Sequence, residues 1–532
     1  MKKTKRATSM RSVVPILLAL TLVLAIVTPN ASSRAKPSIP DLALGRAWAF
    51  GLPGLAATPS HFCSGPSGTC VVGDPATAIP WGKGTPSLIV DRVDEVFLWF
   101  RSTDSPTSIY QLGWDGRIMR VISGDYAEPR LFSGTSQSVS SVASDPERGY
   151  VYFVTGSNNV IVRVDRDGNR ERIAGVPGKA DGDFGCGKCG DGGDARKASV
   201  LGINSIDVDK TGRLLIADGQ HYKIRSIGLD GVIHTLAGTG ENYSAHLNCR
   251  FAPCGQSGKR AQKVWFTFPG TVVGAPDGSF WFSELNSGDR FASNAQQNRA
   301  YGFQPLWHVD RQGYAHAIWT RPFATFTLDP RSGNPIVWDL PLKQGKKGGP
   351  VRATQRIIEI SRIGKRVRQV IGPPRASCVS TIMSLTCGDG HRPPLASLPS
   401  VFPQTSQAIS VDTHGGLFLA NAGEARYFSP PSESERILGF TLARPPAEQR
   451  AGTPITIPFL ANTKIQVTAR IAPRTGGAPQ SIQVTQTEKA ITWNGLIVDQ
   501  PPKPGKYVIE LTATDAQNRI STRQLPALLT AN

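Results

Sequence analysis

Short apolar runs separated by turn residues recur along most of this chain. The clearest repeat unit is the segment 198–240, in which Asp209–Gly212 and Leu229–Gly231 are hairpin-turn sequences between runs rich in β-branched and aliphatic residues. Its four predicted strands are Ser205–Val208, Arg213–Ala217, Lys223–Ile227 and Val232–Leu236. Four strands in roughly 40 residues are the size of one β-propeller blade.

The same pattern returns in weaker copies between about residue 60 and residue 443. The six units are Ser87–Gly124, Ser140–Gly175, Ala198–Gly240, Thr271–Trp319, Ala324–Gly372 and Ala408–Ala443. Self-similarity at this period predicts an all-β, six-bladed β-propeller. A closed ring must join its first and last blades, because an open sheet edge would otherwise remain. We expect Arg436–Phe440 to be a strand of the last blade and Trp48–Phe50 to add its outer strand.

One unit carries a family resemblance. In order, it contains Asp209-x-x-Gly212, Leu214-x-Ile-Ala-Asp218, Tyr222-Lys-Ile-Arg225 and Ala237-Gly-Thr-Gly240. This order of motifs closely resembles the NHL repeat. The resemblance implies a propeller whose function lies on the loops around its central channel, and the fold itself does not dictate that function.

The composition and the strand pattern of the sequence change after Ala443. Residues 444–454 are rich in proline and polar residues and are interpreted as a linker, and residues 455–532 contain alternating strands without cysteine. This C-terminal part resembles the immunoglobulin-like module of the flagellar hook-capping protein. The matching residues are Trp493, Asn494, Gly495, Pro504, Gly505, Tyr507, Thr514 and Asp515. We therefore predict a propeller over 36–443 and a small, separately folded β-sandwich over 455–532.

The first 35 residues have the order of a secretory signal peptide. A basic start is followed by an apolar run from Val13 to Val27 and then by the small residues around Ala31–Ala35. The run has about 15 residues, whereas a membrane span needs roughly 20. We predict cleavage and export, and the alternative is an uncleaved membrane anchor.

The chain is basic, with a formal net charge of +19, which falls to +13 if the first 35 residues are removed. A basic surface attracts anionic polymers. The alternative is that the charge serves solubility only. The densest basic cluster contains Lys343, Lys346, Lys347, Arg352, Arg356, Arg362, Lys365, Arg366 and Arg368.

The eight cysteines form four close pairs, each preceding a repeat unit. The pairs are Cys63/Cys70, Cys186/Cys189, Cys249/Cys254 and Cys378/Cys387. An even number of cysteines in an exported chain predicts disulfides, and local pairing is the simplest of the possible connectivities. Redox chemistry at Cys186 and Cys189 is a minor alternative, and so is zinc bound by these two residues with Cys249 and Cys254. We interpret all eight as structural disulfides that pin equivalent loops between blades.

No motif predicts catalysis. Related six-bladed enzymes use histidine-bound zinc or carboxylate-bound calcium, but no three histidines of this chain fall at matching repeat positions. The histidines are His61, His221, His234, His246, His308, His316, His391 and His414. We interpret His221 as the usual polar link residue of an NHL repeat. Calcium in the Asp181, Asp183, Asp191 and Asp194 loop is a minor alternative, so no cofactor is predicted.

Aromatic residues are dense around the fourth unit. They are Trp265, Phe266, Phe268, Trp281, Trp307, Tyr314 and Trp319. If exposed they would suit sugar or peptide binding, but blade core is the favoured interpretation. The polar insertion Asn286–Tyr301 in the same unit is a candidate binding loop.

The sequence favours a non-catalytic, exported binding or scaffolding propeller. Its expected ligand is a protein, a peptide or an anionic polysaccharide at the cell surface, and the ligand-binding residues are not identified by sequence. The alternative is a metal-dependent lactonase-like hydrolase or lyase with its site in the channel. Nucleic acid is not expected as a partner because export argues against it, membrane contact is expected only through an uncleaved signal segment, and a monomer is expected.

Overall fold

A computed structural model describes most of the chain from Ala47 onwards. The described residues are 47–51, 63–64, 70–76, 79, 85–101, 108–123, 139–155, 159–176, 189–241, 255–266, 268–285, 305–321, 323–340, 342–343, 352–353, 355–372, 408–421, 424–430, 436–442, 448–474 and 477–531. The predicted signal peptide and the Asn286–Tyr301 insertion lie outside these residues.

Six antiparallel sheets follow one another along the chain and form the six predicted blades. Blade 1 contains β2 (Thr85–Val90), β3 (Val96–Arg101), β4 (Ser108–Leu112) and β5 (Ile118–Ser123). Blade 2 contains β6 (Ser141–Asp145), β7 (Tyr150–Thr155), β8 (Val160–Val164) and β9 (Arg170–Ala174). Blade 3 contains β10 (Ile203–Val208), β11 (Leu214–Asp218), β12 (Lys223–Ile227) and β13 (Ile233–Ala237).

Blades 4 and 5 follow the same plan with short additions. Blade 4 contains β14 (Lys259–Arg260), β15 (Pro269–Gly274), β16 (Phe280–Glu284), β17 (Leu306–Val309) and β18 (Tyr314–Trp319). Blade 5 contains β19 (Phe323–Leu328), β20 (Pro335–Asp339), β23 (Arg356–Ile360) and β24 (Val367–Ile371), with a separate hairpin of β21 (Leu342–Lys343) and β22 (Arg352–Ala353). Three short 3-10 helices occur among the described residues, at Ala195–Lys197, Gly219–His221 and Ala261–Lys263.

The last blade closes the ring with a strand from the start of the chain. Its strands are β25 (Ala408–Val411), β26 (Leu417–Asn421), β27 (Glu424–Phe428) and β1 (Ala47–Gly51). Strand β1 pairs antiparallel with β27 and places Trp48 opposite Tyr427. The prediction that Trp48–Phe50 supplies the outer strand is confirmed. The prediction for Arg436–Phe440 is wrong, because Glu424–Phe428 takes that place in the blade.

The blades pack face to face because their inner strands bury both faces, whereas the outer strands expose part of theirs. In β3, Phe97 and Trp99 join the core shared with blade 2, whereas Leu98 and Phe100 join the core shared with blade 6. Alternation of side chains across a strand thus supplies two cores at once. The first strand of every blade contacts the first strands of both neighbours, so the ring is closed.

The two rims of the propeller differ in their connections. One rim, the turn face, consists of the connections between the first and second strands of each blade and between the third and fourth strands of blades 1 to 5, and none has more than six residues. The long connections after β1, β5, β9, β16 and β24 begin and end at the opposite rim, the loop face, whereas the connection from β13 to β14 begins there and ends near the turn face. The longest of these runs from Ile371 to Ala408.

The cysteine-containing linkers occupy equivalent places in three blades. Cys63 and Cys70 form a disulfide, and the segment after Cys70 runs along β5, where the N–H of Gly73 donates to the carbonyl of Ile118 at 2.8 Å. The segment after Cys189 runs along β13 in the same way, with Gly192 donating to Ile233 at 2.8 Å. Strand β14, which follows Cys254 in the chain, pairs with β18.

The described linkers therefore cover the outer edge of the blade that follows them. Cys189 is disulfide-bonded, and its partner lies outside the described residues. Cys186, Cys249, Cys254, Cys378 and Cys387 also lie outside them, so three of the four predicted local bridges stay predictions. The Cys63–Cys70 bridge is confirmed.

Two sheets after blade 6 form the β-sandwich. One contains β28 (Phe440–Leu442), β30 (Ile455–Ala461), β33 (Val484–Gln486) and β34 (Ala490–Trp493). The other contains β29 (Glu448–Arg450), β31 (Ile465–Pro473), β32 (Gln480–Ile482), β35 (Gly505–Asp515) and β36 (Ile520–Thr530). Strands β28 and β29 fall at the predicted domain boundary, whose position at residue 443 stays a prediction.

The sandwich packs against blade 1 at the turn face. Ala472 and Val508 join the apolar core that blades 1 and 6 share. The N–H of Ile520 donates to the carbonyl of Asp115, in the turn between β4 and β5, at 2.7 Å. The propeller and the sandwich thus share an interface.

Candidate functional site

The central channel is lined by the first strand of all six blades and encloses a cavity of about 820 Å³. Pockets of about 300–1,000 Å³ are typical of small-molecule sites. Aligning the blades by the residue that begins their first turn places equivalent side chains at equal depth in the channel. These turn residues are Asp91, Asp145, Asp209, Ala275, Asp329 and Asp412.

The residue four positions before each turn residue carries a side-chain hydroxyl in five of the six blades. The side chains at this level are Ser87, Ser141, Ser205, Thr271, Thr325 and Ala408, and all six residues line the cavity. We call the five serine and threonine residues the hydroxyl ring. The Oγ atoms of Ser141 and Ser205 accept the N–H groups of Ile206 and Val272, at 3.1 Å and 3.4 Å, which ties neighbouring blades together.

Asp207 lies two residues nearer the turn face than the hydroxyl ring. The equivalent residues of the other blades are Ile89, Ala143, Val273, Thr327 and Ser410, so this is the one carboxylate at its level. Its Oδ2 accepts the N–H of Gly274 from blade 4 at 2.7 Å. Asp207 makes no ion pair with any other described residue, and its side chain is half-buried because it opens onto the channel. Burial in the ring raises the pKa of Asp207 to about 7, although the N–H of Gly274 and the charge of Arg92 act in the opposite direction.

Asp91 is a second carboxylate of the channel whose pKa is raised. Burial raises its pKa to about 6. Its oxygens are nevertheless occupied, because they accept the N–H groups of Glu95 at 2.9 Å and Val93 at 3.0 Å and the hydroxyl of Ser144 at 2.8 Å. Asp91 therefore holds its turn and joins blades 1 and 2, and Asp207 is the carboxylate that remains open to a ligand.

Arg92 spans the turn-face end of the channel. From blade 1 its Nη2 lies 3.4 Å from Asp145 Oδ1 in blade 2, and its Nη1 donates to the carbonyl of Asp209 in blade 3 at 3.0 Å. The Nε–H of Arg92 is buried and has no hydrogen-bond partner among the described residues. Arg92 thus narrows one end of the cavity while one of its donors stays unsatisfied.

The candidate metal ligands that the sequence offers as minor alternatives do not converge in the channel within the described part of the chain. Two groups of three potential ligands occur there, and neither lines the cavity. Cys63, Cys70 and Asp74 form one group, but its two thiols are joined in the disulfide. The other consists of Asp94, Asp412 and His414 at the turn face.

A guanidinium occupies that second group. Arg436 Nη1 lies 3.0 Å from Asp94 Oδ2 and 3.4 Å from Asp412 Oδ2, and its guanidinium lies over the ring of Trp114. The pKa of Asp94 is lowered, because hydrogen bonds from Thr413 and Arg436 outweigh the opposing effect of burial. The group therefore serves as a contact between blades 6 and 1.

The NHL signature residues of blade 3 form a buried network. His221 is fully buried and its Nδ1 lies 2.9 Å from Asp218 Oδ2, a geometry that favours its structural interpretation. Arg225, also fully buried, contacts Asp218 at 3.2 Å and Asp191 at 2.7 Å. Of the predicted calcium-loop residues, Asp191 is thus bound by Arg225, Asp194 pairs with Arg196 at 3.1 Å, and Asp181 and Asp183 lie outside the described residues.

The basic cluster predicted from sequence is partly compensated by carboxylates. Arg356 pairs with Asp339 at 2.7 Å, Arg362 with Asp277 at 2.9 Å, and Arg368 with Glu359 at 2.6 Å. Lys346 and Lys347 lie outside the described residues. The described arginines therefore contribute less unbalanced charge than the sequence indicates.

The remaining histidines of the described blades also lie away from the channel. In blade 4, His308 stacks on Trp281 with 4.4 Å between ring centroids, and His316 lies 3.0 Å from Asp310. His234 is exposed on β13, while His61, His246 and His391 lie outside the described residues. Of the aromatic residues around blade 4, Phe266, Trp281, Trp307 and Trp319 are buried, which confirms blade core as their role.

Sequence reasoning missed the hydroxyl ring and Asp207. A signal was present, because five of the six units carry serine or threonine four residues before the turn residue. Only the packing of the first strands around one axis shows that these positions face each other. No helix among the described residues is long and apolar enough to cross a membrane.

Comparison with known proteins supports NHL-type repeats. The Teneurin NHL domain family matches residues 135–271, which include blades 2 and 3. Teneurin-3 of Danio rerio is 34% identical over 116 residues, which is 20% of this chain and 4% of the teneurin. This chain therefore spans a small fraction of that relative.

Similar solved structures include propellers of several kinds. A streptogramin B lyase is 11% identical with a TM-score of 0.35, covering 65% of this chain and 93% of its own. A nidogen/laminin complex is 12% identical with a TM-score of 0.35, covering 61% and 85%. A Xanthomonas campestris gluconolactonase is 12% identical with a TM-score of 0.31, covering 72% and 97%. At these values the likenesses carry no functional argument.

Proposed function

We propose that this protein is an exported, non-catalytic recognition protein that binds a protein, peptide or polysaccharide at the cell envelope through the loop face. The observation that carries the proposal is the difference between the two rims. Short turns and the sandwich contact lie at the turn face, whereas the long connections after β1, β5, β9, β16 and β24 begin and end at the loop face. Recognition residues are commonly placed on variable loops held by a rigid scaffold.

The position of the sandwich supports this orientation. Its contact with Asp115 covers part of the turn face and leaves the loop face accessible within the described part of the chain. The sandwich then serves as a spacer or an attachment module. Its likeness to the immunoglobulin-like module of the hook-capping protein belongs to this proposal.

Two exposed leucines on opposite rims allow a matched test. Leu285 follows β16 at the loop face and is 37% exposed, whereas Leu229 follows β12 at the turn face and is 65% exposed. Binding of the labelled full chain to intact cells of the producing organism is measured for the Leu285→Asp and Leu229→Asp variants. We expect Leu285→Asp to weaken binding about tenfold, as for a residue central to an interface, and Leu229→Asp to leave it unchanged.

Equal binding by both variants, or stronger loss in Leu229→Asp, would contradict recognition at the loop face, and so would the absence of wild-type binding. Repeating the measurement across salt concentrations identifies the ligand class. Binding that weakens steeply with salt indicates an anionic polysaccharide, whereas binding that changes little indicates a protein or peptide. N-terminal sequencing of the secreted product tests export, with a start near residue 36 expected.

A further inference from the structure

The channel presents hydrogen-bonding groups that the protein itself does not satisfy. The hydroxyls of Thr271 and Thr325 line the cavity and make no hydrogen bond to the described residues. Thr327, which lies at the level of Asp207, also lines the cavity, and its hydroxyl makes no hydrogen bond to the described residues. The remaining oxygen of Asp207, Oδ1, accepts no side-chain hydrogen bond from the described residues. Acceptors and donor–acceptor hydroxyls thus lie together on the wall formed by blades 3, 4 and 5.

Two buried donors lie behind the cavity surface. Trp99 lines the cavity and is 3% exposed, and its indole N–H has no hydrogen-bond partner among the described residues. The Nε–H of Arg92, at the turn-face end, has none either. Both nitrogens are buried, so a ligand in the channel bonds instead to the exposed groups of blades 3, 4 and 5.

The opposite wall, formed by blades 1 and 6, combines polar residues such as Ser87 and Ser410 with aliphatic side chains. Ile89 and Val90 of blade 1 and Ala408 of blade 6 line the cavity and are half-buried there. A strand rises about 3.3 Å per residue, so the hydroxyl ring and Asp207 lie about 7 Å apart along the channel axis. The cavity therefore has a wall with hydrogen-bonding groups at two levels, and facing it a wall that adds aliphatic contact from Ile89, Val90 and Ala408.

We propose that the central channel is a binding site for a small carbohydrate of one or two sugar rings. A sugar hydroxyl both donates and accepts, so one ligand donates to Asp207 Oδ1 and exchanges hydrogen bonds with the hydroxyls of Thr271 and Thr325. The C–H faces of the ring pack on Ile89, Val90 and Ala408. The cavity of about 820 Å³ has room for a ligand of this size.

Other ligand classes fit these groups less well. A metal ion or an ammonium group would bind Asp207 but would make no use of the aliphatic surface of Ile89, Val90 and Ala408. A carboxylate ligand would meet the charge of Asp207. Leu285 borders both the cavity and the loop face, but Asp207 lies inside the channel, so sugar binding that depends on Asp207 and binding to cells can fail independently.

The test measures binding of glucose, N-acetylglucosamine, galactose and cellobiose to the full chain by isothermal titration calorimetry and saturation-transfer NMR. The key variant is Asp207→Asn. The amide oxygen of asparagine must accept the Gly274 N–H, so its NH2 group replaces the open carboxylate oxygen in the channel and turns an acceptor into a donor. We expect at least one sugar to bind the wild type and to bind Asp207→Asn about tenfold or more weakly.

Two further variants make the result specific. Asp230→Asn changes an exposed turn aspartate of the same blade and should bind like the wild type. Thr325→Val removes one hydroxyl of the ring at nearly constant volume and should weaken binding several-fold. If no sugar of the panel binds, or if Asp207→Asn binds as tightly as the wild type while both unfold at similar temperatures, the proposal is overturned.

The pH dependence gives an independent readout. The charged groups that face Asp207 are Arg92 from blade 1 and Asp209 and Lys210 from the adjoining turn, and Gly274 faces it from blade 4. The ionised carboxylate is the stronger acceptor, and Asp207 titrates with a pKa of about 7. Sugar affinity should therefore rise several-fold between pH 6 and pH 8 in the wild type and stay constant in Asp207→Asn. A flat wild-type profile would count against Asp207 as the ligand-binding group.

Discussion

The guanidinium of Arg225 lies fully buried in blade 3 and donates to Asp191 at 2.7 Å, which ties the cysteine-containing linker to the blade that follows it. The same guanidinium donates to the carbonyl of Cys189 at 3.0 Å and contacts Asp218 at 3.2 Å. One arginine thus connects the linker, the second strand and the third strand of this blade.

Replacing Arg225 by methionine should destabilise the protein strongly. The change removes the guanidinium from the buried carboxylate of Asp218 and the half-buried carboxylate of Asp191, and loss of one partner of a buried ion pair typically costs about 3–5 kcal/mol. His221 and Lys223 still contact these carboxylates, so the loss should lie at the lower end of that range. The matched control is Arg196→Met, because Arg196 and Asp194 form an exposed pair at 3.1 Å that is worth about 0–1 kcal/mol. Urea unfolding measures both, and equal losses would show that the buried network is not a special source of stability.

Removing strand β1 should open the ring. A chain that begins at Leu52 lacks the strand that pairs with β27, so an unpaired edge of blade 6 becomes exposed. We expect a lower melting temperature and concentration-dependent aggregation, measured by calorimetry and light scattering. A chain that begins at Lys36 keeps β1 and should melt like the full-length chain. If both truncations behave alike, ring closure by β1 is not required.

The C-terminal end of the propeller can be located by comparing two fragments. Ile437 packs in the core of blades 1 and 6, whereas Leu438 packs in the sandwich core and β28 pairs with β30. A fragment that ends at Ile437 should therefore be more soluble than one that ends at Ala443, which carries an unpaired β28. Each should melt below the full chain, because the contacts of Ala472 and Val508 are lost. Greater solubility of the longer fragment would favour the boundary predicted from sequence.

Two glycines in equivalent turns allow the sandwich contact to be tested by itself. Gly116 and Gly168 have φ values of +87° and +89°, so an alanine is strained equally at both positions. A Cβ at Gly116 would overlap the carbonyl oxygen of Ile520, whereas a Cβ at Gly168 would meet nothing within 4 Å. Gly116→Ala should therefore lower the melting temperature more than Gly168→Ala and speed cleavage near residues 444–450. Identical effects would mean that this contact adds no stability.

Acid should destabilise the native protein in part through His308. Burial, followed by the charge of Arg362, lowers the pKa of His308 to about 4, below its ordinary value of 6.5. Between these values the unfolded chain binds more protons than the folded one, so this group's contribution to stability is lost as pH falls from 6.5 to 4. Asp91 and Asp207 act with the opposite sign, because their folded pKa values are raised.

The effect of His308 is therefore measured as the difference in urea midpoint between a variant and the wild type at each pH. His308→Gln keeps a group that can bond Ser279 but does not titrate, so its urea midpoint should fall less than that of the wild type between pH 6.5 and pH 4.5. His234→Gln, at an exposed position, should follow the wild type. Parallel profiles for all three proteins would exclude His308 as a source of acid sensitivity.

The sequence by itself determined the blades, because each strand has a period of two and each turn has its own glycine or aspartate. These signals are local, so Ala198–Gly240 predicted its four strands within two residues of their positions in the structure. They also predicted that linkers with cysteine precede blades. Sequence reasoning failed at Arg436–Phe440, where an apolar run has the same pattern whether it joins blade 6 or the sandwich.

Only the tertiary structure decided which residues of different blades face each other across the channel. Thr325 and Ser205 are 120 positions apart in the chain, and no local pattern relates them. They line one cavity because six first strands pack around a common axis at equal depth. For the same reason Asp207, an ordinary polar position of a strand when its own blade is considered alone, becomes a half-buried carboxylate in a shared channel.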